Sequence, residues 1–363
     1  MAKFSEVLTI VNGRNQKQVV CDDGKYPIYG SGGIMGYAND YICKAETVVI
    51  GRKGSINKPI FVETPFWNVD TAFGLCANSE KLNPKYLYYF CEKFDFEKLN
   101  TTVTIPSLTK SNLLNVEIPL PNLEKQKQIV ELLDKVTSLI SLRKQQLAKL
   151  DELVKARFVE MFGDDNYPKV KVSRVCDFIT KGTTPPNNLI SEKYSSDKVP
   201  YLKVYNLSFT GKLLFDTAPQ YVPENIHNGV LARSKVYPND VLMNIVGPPL
   251  GKFALVTDEF SEWNINQAIA IFRAKEKVNP KYLLFALMQP EVLKPFLRQA
   301  VGIRQLNLSL AQCRDLEIPL PPLSLQSEFA AFVERVDQQK QTVQQSLEKL
   351  ELMKKALMQE YFG

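Results

Sequence analysis

Histidine is almost missing from this chain: His227 is the only one in 363 residues. That removes most ligand sets that hold zinc and the commonest general base of nucleophilic hydrolysis. His227 itself lies in a loop-like stretch, Asn225-Ile-His-Asn-Gly229, and reads as a surface residue. Cysteine is sparse. The six (Cys21, Cys43, Cys76, Cys91, Cys176, Cys313) form no CxxC pair, which argues against a metal knuckle and for reduced thiols in a cytoplasm. No metal site is predicted. No run of 18 apolar residues occurs, and the first ten residues, MAKFSEVLTI, lack the apolar stretch of a secretory leader. The expectation is a soluble, cytoplasmic protein with no membrane partner.

Phosphate-cradling glycine patterns are missing too. Gly30-Ser-Gly32-Gly33-Ile-Met-Gly36 fails the G-x-G-x-x-G pattern, because Met35 stands where the third glycine belongs. Gly247-Pro-Pro-Leu-Gly251-Lys252-Phe253 is one residue short of a P-loop. It puts Phe where Ser or Thr binds Mg²⁺, and its prolines remove amides that phosphate needs. Asn83-Pro-Lys-Tyr86 and Asn279-Pro-Lys-Tyr282 fail the Asn-Pro-Pro-Tyr pattern of amino-methyltransferases at the third position. No catalytic residue is predicted. Charge and apolar content, 23% and 45%, are ordinary for a folded domain, and the net charge of +6 is compatible with a polyanion partner without demanding one.

What the chain has is duplication. Residues 117–163 and 317–363 align without a gap at an offset of 200, with 17 identities in 47 positions. That offset marks a repeated unit of domain size, not a solenoid. Each copy opens with Ile-Pro-Leu-Pro (118–121 and 318–321), where proline forbids helix, and no Pro or Gly then interrupts it from about 123 to Gly163 or from about 323 to Gly363. Alternating steps of four and three select Ile129, Leu133, Val136, Ile140, Arg143, Leu147, Leu150, Val154, Arg157 and Met161, and the same positions plus 200. Eight of ten are apolar in each copy; the exceptions are Arg143, Arg157, Lys340 and Lys354. Two helices of about 60 Å are predicted. Their narrow stripes need cover, from each other as an antiparallel coiled coil, from their own globular regions, or from a second chain.

The globular regions echo one another as well. Asn83-Pro-Lys-Tyr-Leu87 returns at 279–283, and Trp67-Asn68-Val-Asp70-Thr-Ala72 returns as Trp263-Asn264-Ile-Asn266-Gln-Ala268; both pairs lie 196 apart. Lys3-Phe-Ser5 is echoed by Lys171-Val-Ser173. The matched tryptophans read as core. Strands are expected at Val19–Cys21, Thr47–Ile50 and Pro59–Val62, and a glycine-dense loop at Tyr29–Tyr37. That loop finds no counterpart in the second half, and Lys181-Gly-Thr-Thr-Pro-Pro186 finds none in the first. The fold class expected is α+β: two similar mixed α/β domains, separated by two long helices that form an antiparallel coiled coil, with an internal pseudo-two-fold repeat. The boundaries are 1–116 and 164–316 (with a linker at 164–168) for the domains, and 117–163 and 317–363 for the helices.

At this point the chain resembles, over its whole length, the DNA-specificity (S) subunit of a Type I restriction-modification system. The likeness rests on Ile118-Pro-Leu-Pro121 with Gln126, Ile318-Pro-Leu-Pro-Pro322 with Gln326, and the Phe-Gly that ends each long helix. It rests also on Tyr26-Pro-Ile-Tyr-Gly-Ser-Gly-Gly33, Ile50-Gly-Arg-Lys-Gly54, Phe66-Trp-Asn-Val-Asp70, and Asp240-Val-Leu-Met-Asn244 followed by Gly247 and Gly251. The resemblance implies two target-recognition domains, each reading half of a bipartite duplex sequence. It implies helices that set the spacer and dock two methyltransferase (M) subunits, with restriction-motor (R) subunits attached through M. It implies a subunit that is not an enzyme and holds no cofactor: AdoMet belongs to M, ATP and Mg²⁺ to R.

Phosphate contacts need Lys, Arg, hydroxyls and backbone amides, and base reading needs long polar side chains in a groove. On those grounds the DNA-binding candidates in the first domain are Tyr29, Ser31, Gly32 and Gly33; Arg52, Lys53, Ser55, Asn57 and Lys58; and Thr102 and Thr104. In the second they are Lys181, Thr183, Thr184, Lys203, Tyr205, Asn206, Lys252, Arg304 and Gln305. The plain alternatives are a tight turn at 29–37 and solvated basic loop tips elsewhere. Three other readings stay open: a specificity subunit serving only a methyltransferase or a related phage-defence system, a transferase with its site between the domains, and a coiled-coil adaptor without DNA affinity. Clustered acids would favour the second, and a pull-down lacking DNA and M the third.

Overall fold

A computed structural model describes residues 1–100, 107–163, 167–247, 249–299 and 307–363, the side chains of 296–299 excepted. Packing divides the chain into two compact units, Met1–Gln145 with Val343–Gly363, and Gln146–Thr342.

Unit 1 opens with β1 (Ala2–Lys3), α1 (Phe4–Val7) and β2 (Leu8–Asn12). Then come β3 (Tyr26–Gly30), β4 (Gly33–Ala38), β5 (Thr47–Gly51), β6 (Ile60–Val62), β7 (Trp67–Asn68) and β8 (Ala72–Ala77). After them follow α2 (Pro84–Lys93), α3 (Lys110–Leu114), β9 (Glu117–Ile118) and the start of the long helix α4 (Leu123–Phe162). The β-branched run of β5 is buried at every position, so it sits inside an antiparallel sheet of order β2-β8-β5-β6. A second sheet, β4-β3-β7, pairs β3 in parallel with β7, Ile28 opposite Trp67.

Unit 2 repeats this plan with β10 (Lys169–Lys171), α5 (Val172–Val175), β11 (Cys176–Lys181), β12 (Lys198–Leu202), β13 (Tyr221–Pro223), α6 (Glu224–Asn228), β14 (Lys235–Val236), β15 (Val241–Asn244), β16 (Phe253–Leu255), β17 (Trp263–Ile265) and β18 (Ile269–Ala274). It closes with α7 (Pro280–Leu287), α8 (Pro290–Gln299), α9 (Leu310–Asp315), β19 (Glu317–Pro319) and the start of α10 (Leu323–Phe362). Its sheets run β11-β18-β15-β16 and β13-β12-β17-β14, and β12 pairs in parallel with β17 as β3 does with β7.

The echoed motifs lock together. Asn83 caps α2 by accepting from the amides of Lys85 and Tyr86, and Pro84 takes the first helical position, where its missing N–H costs nothing. The buried Gln126 accepts from the Asn83 amide at 2.8 Å and donates to Lys81 and Pro121 carbonyls. Tyr86 donates its hydroxyl to the Pro119 carbonyl. In unit 2 the same bolt recurs: Gln326 accepts from the Asn279 amide at 2.9 Å and donates to Pro321, and Tyr282 donates to Pro319. Asn-Pro-Lys-Tyr and Ile-Pro-Leu-Pro…Gln are therefore two halves of one joint that fixes each long helix to the domain preceding it.

The predicted antiparallel pairing holds within each unit. In unit 1, Lys144 pairs with Glu351 at 2.8 Å, while Phe362 and Met358 enter the core that holds Ile129 and Leu133. In unit 2, Asp151 pairs with Lys340 and Arg157 with Glu328. All twenty positions of the predicted stripe are buried or half-buried. The stripe drifts at the last turns, where Phe158, Phe162, Met358 and Phe362 are more deeply buried than the expected 157, 161, 357 and 361. There each helix packs on a domain as well as on its helical partner, so the 3.6-residue period replaces the 3.5-residue one. Phe162 stacks edgewise on Tyr282 and Phe329 in unit 2, and Phe362 lies against Tyr86 and Phe90 in unit 1.

Other expectations need correction. Val19–Cys21 is not a strand: the amides of Val19 and Val20 both turn back to the Gln16 carbonyl, leaving one bridge between Val20 and Ala38. Tyr29–Tyr37 is not a loop but most of the β3–β4 hairpin. His227 is not at the surface. It is fully buried on α6, held between Asn264 and Glu262. Trp67 and Trp263 are core residues as expected.

Candidate nucleic-acid interface

The repeated Trp-Asn motif is the floor of the site in each unit. In unit 1, segment 67–72 receives three connections. The amide of Arg14 donates to the Asn68 carbonyl at 2.8 Å, the amide of Val69 donates to Tyr29, and the amide of Arg52 donates to Thr71 at 2.8 Å. A Cβ on Gly13 would stand 1.7 Å from the Val69 carbonyl oxygen, so only glycine lets the β2 exit lie flat on this floor. In unit 2 the floor is 263–268. The amide of Asn266 donates to Leu202, that of Ile245 donates to Ala268 at 2.8 Å, and a Cβ on Gly182 would meet the Asn266 carbonyl oxygen at 2.1 Å.

Each of the two segments that seemed unpaired in sequence thus has a topological counterpart in the other unit. Lys181-Gly-Thr-Thr184 leaves β11 where Asn12-Gly-Arg-Asn15 leaves β2, and Lys203–Asn206 leaves β12 where Gly30–Gly33 leaves β3. The turn after β5 matches the turn after β15: Lys53 bridges to Ser107, and Val246 to Asn307. The correspondence was invisible because backbone bonds carry it while the side chains differ.

In unit 1 the turns at 29–33 and 52–55 are neighbours; a Cβ on Gly51 would come within 3.1 Å of the Ser31 Cβ. Arg52, Lys53 and Lys58 are exposed, Gly32 is exposed, and Tyr29, Ser31, Gly33 and Ser55 are half-buried. The Arg52 guanidinium rests over Phe73, 5.7 Å from its centroid, which aims the head without neutralising it. Burial, helped by Tyr37, pushes the Tyr29 phenol above its ordinary value, so it stays a neutral donor. Asn57 braces the fold instead: its carbonyl oxygen accepts from the Phe96 amide at 2.7 Å and its amide donates to Asp95.

In unit 2, Lys181, Thr184 and Tyr205 are exposed, and Thr183, Lys203 and Lys252 are half-buried. Thr184 accepts from the Gln267 amide, and Thr183 accepts from Arg233 at 3.0 Å. The Lys252 ammonium lies over Phe209, 5.7 Å from its ring centroid. Asn206 is fully buried. Its oxygen accepts from the Lys203 amide and its amide donates to Leu214, so the group is spent on the loop itself. Thr102, Thr104, Arg304 and Gln305 lie outside the described residues.

Two exposed cations that are not among the sequence candidates stand at these floors. Arg14 follows Gly13 onto the floor of unit 1, and Arg233 reaches Thr183 in unit 2. The Trp-Asn echo was the available signal for Arg14, had it been read as the base on which neighbouring loops rest. Behind the unit 2 floor lies a buried network. The Asn264 oxygen accepts from Ser234 and from the Ile265 amide, so its amide nitrogen must face His227 Nδ1, 3.1 Å away. His227 then donates from Nε2 to Glu262 at 2.9 Å, and Lys235 completes the chain at 3.0 Å. Burial holds the His227 pKa below its ordinary value, while the hydrogen bond from His227 lowers that of Glu262.

Among the described residues, no group of three or more His, Cys, Asp and Glu side chains could hold a metal ion. Among the same residues, no helix is long and apolar enough to cross a membrane. What the site offers is exposed cations, hydroxyls and backbone on a rigid floor, twice.

Known proteins similar to this chain include Type I restriction specificity subunits. The chain is 24% identical over 86% of its length to the MjaVIII Type I restriction enzyme specificity subunit of Methanocaldococcus jannaschii, spanning 75% of that protein. It is 23% identical over 80% of its length to the EcoBI specificity subunit of Escherichia coli, spanning 66% of it. A solved Type I S subunit from M. genitalium shares the fold with a TM-score of 0.60 at 16% identity, covering 100% of this chain and 95% of that one. A chain from a structure of type I R-M complex assembly does so at 0.61 and 17%, covering 99% and 96%. The family model of the Type I restriction modification DNA specificity domain matches residues 1–152 and again 165–352, one match for each half of the duplication. With the model fitting twice and nearly end to end, the chain belongs to the Type I restriction modification DNA specificity family.

Proposed function

We propose that this chain is the sequence-reading subunit of a Type I restriction-modification complex and that each unit reads one half of a bipartite duplex target. The observation that carries this reading is the pair of matched floors, each presenting a different set of exposed cations and hydroxyls. Cations and backbone amides bind phosphate and fix register, while the long side chains among them reach base edges. The reading segments are 12–17, 29–33 and 52–58 in unit 1, and 181–184, 203–205, 233 and 252 in unit 2; Asn57 and Asn206 hold their loops in shape.

Residues 1–116 and 164–316 act in this proposal as recognition domains, and 117–163 and 317–363 as the helices that set the spacer. The helices dock two methyltransferase subunits, through which motor-nuclease subunits attach in the cytoplasm. Chemistry stays with those partners, which bring AdoMet, ATP and Mg²⁺. The test is to express the chain with its methyltransferase in a host lacking both, and to map methylated bases across the genome. Two fixed half-sites separated by a constant unspecified spacer are expected. One contiguous motif, or no sequence-dependent methylation, overturns the reading.

A further inference from the structure

The β3–β4 hairpin of unit 1 presents a feature that polar reading does not use. Ile34 is 55% exposed, Met35 63% and Tyr37 47%, three large apolar side chains in four residues. The hairpin register shows how they come to be there. Ile28 pairs with Gly36 and Tyr29 pairs with Ile34, so Met35 has no partner across the ladder. It is the extra residue of a β-bulge, a device that re-aims side chains. Glycines shape the bulge: Gly33 and Gly36 have φ of +123° and +155°, which side-chain-bearing residues rarely adopt. A Cβ on Gly30 would stand 2.5 Å from the Met35 sulfur, so glycine there leaves room for the thioether. The sequence Gly30-Ser-Gly-Gly-Ile-Met-Gly36, which failed as a nucleotide loop, leaves an exposed apolar tip on β4 just past the hairpin turn.

Its surroundings select the occupant. Ser31 of the hairpin turn neighbours Gly51, whose chain continues into exposed Arg52 and Lys53, and exposed Arg14 rests on the same floor. An apolar patch on a hairpin whose turn adjoins a cationic turn fits a polyanion that also has an apolar interior, and stacked bases between phosphates are that. Apolar wedges of Ile or Met opening a base step are a known means of deforming duplex DNA, and pyrimidine–purine steps open most easily. We propose that Ile34 and Met35 press into a base step of the half-site read by unit 1, so that this domain reads deformability as well as base edges. This rests on the DNA-reading function proposed above.

The test uses the complex of the full chain with its methyltransferase on the mapped target. 2-Aminopurine is placed in turn at each step of the unit 1 half-site. The expected result is one step whose fluorescence rises on binding, a rise lost in Ile34→Ala/Met35→Ala and kept in Met35→Leu, which preserves an apolar tip. The double variant should also relax base preference at that step by about 10-fold. If the rise and the preference persist in the double variant, the wedge is refuted while the DNA-reading function stands. If the double variant instead loses methyltransferase binding with its DNA contacts intact, the tip is a protein-docking surface and the wedge is again refuted. If wild-type complex shows no sequence-dependent binding, the proposed function itself fails.

Discussion

Asn and Gln residues divide sharply by what their amides touch. Gln126 and Gln326 are buried and used at both ends, against the amides of Asn83 and Asn279 and against proline-segment carbonyls. Removing one leaves a buried backbone donor unpaired. Gln326→Ala should therefore cost about 1–3 kcal/mol in chemical denaturation. A loss below about 0.5 kcal/mol, the range of surface substitutions, would show that the joint contributes little. His227 gives a second prediction at this scale. Its folded pKa lies below the ordinary 6.5 because burial disfavours the charged imidazolium and the nearby Lys235 charge acts the same way, outweighing Glu262. The unfolded chain then binds more protons as pH falls through about 6.5, and stability declines in that window. Glu262 adds its own loss only further down, below its ordinary 4.5. His227→Gln should flatten thermal stability between about pH 7 and 5.5; an unchanged slope would assign it to other groups. The sequence showed the lone histidine but not its burial, because the partners lie 35 and 37 residues away.

Elements were read more faithfully than residues. Uninterrupted heptads in a chain stretch free of Pro and Gly leave few options but a long helix, and Asn-Pro is a start signal with a physical basis. Among the polar exceptions in the stripe, Lys340 meets Asp151, Lys354 meets Glu92, and Arg157 meets Glu328 and Glu160. Pairs this exposed contribute at most about 1 kcal/mol each, so their effect falls on alignment more than on stability. What pattern could not supply was the switch from helix-on-helix packing alone to packing on helix and domain together. That switch makes Phe158 a core residue beside Tyr282 and Phe329. Phe158→Ala should destabilise unit 2 by about 3–5 kcal/mol. Val159→Ala, at an exposed neighbour, should stay within about 0.5 kcal/mol. Equal effects would mean that the last turns of α4 are not seated on unit 2.

For the whole molecule, the duplication was legible and the site only in part. Trp-Asn repeats because it carries the floor in both units, and floors repeat because backbone geometry is what both share. The loops on them differ, so their equivalence (Gly13 with Gly182, Gly30–Gly33 with Lys203–Asn206) could not be seen until the strands were placed. A common floor with unlike loops is the physical basis for two readers of unlike sequence. That claim is tested most directly by methylation mapping of one triple variant, Arg14→Ala/Arg52→Ala/Lys53→Ala, expressed with its methyltransferase. The account predicts that methylation weakens or relaxes at one half-site while the other half-site and the spacer stay as in wild type. Relaxation of both half-sites together, or a motif wholly unchanged, would contradict it.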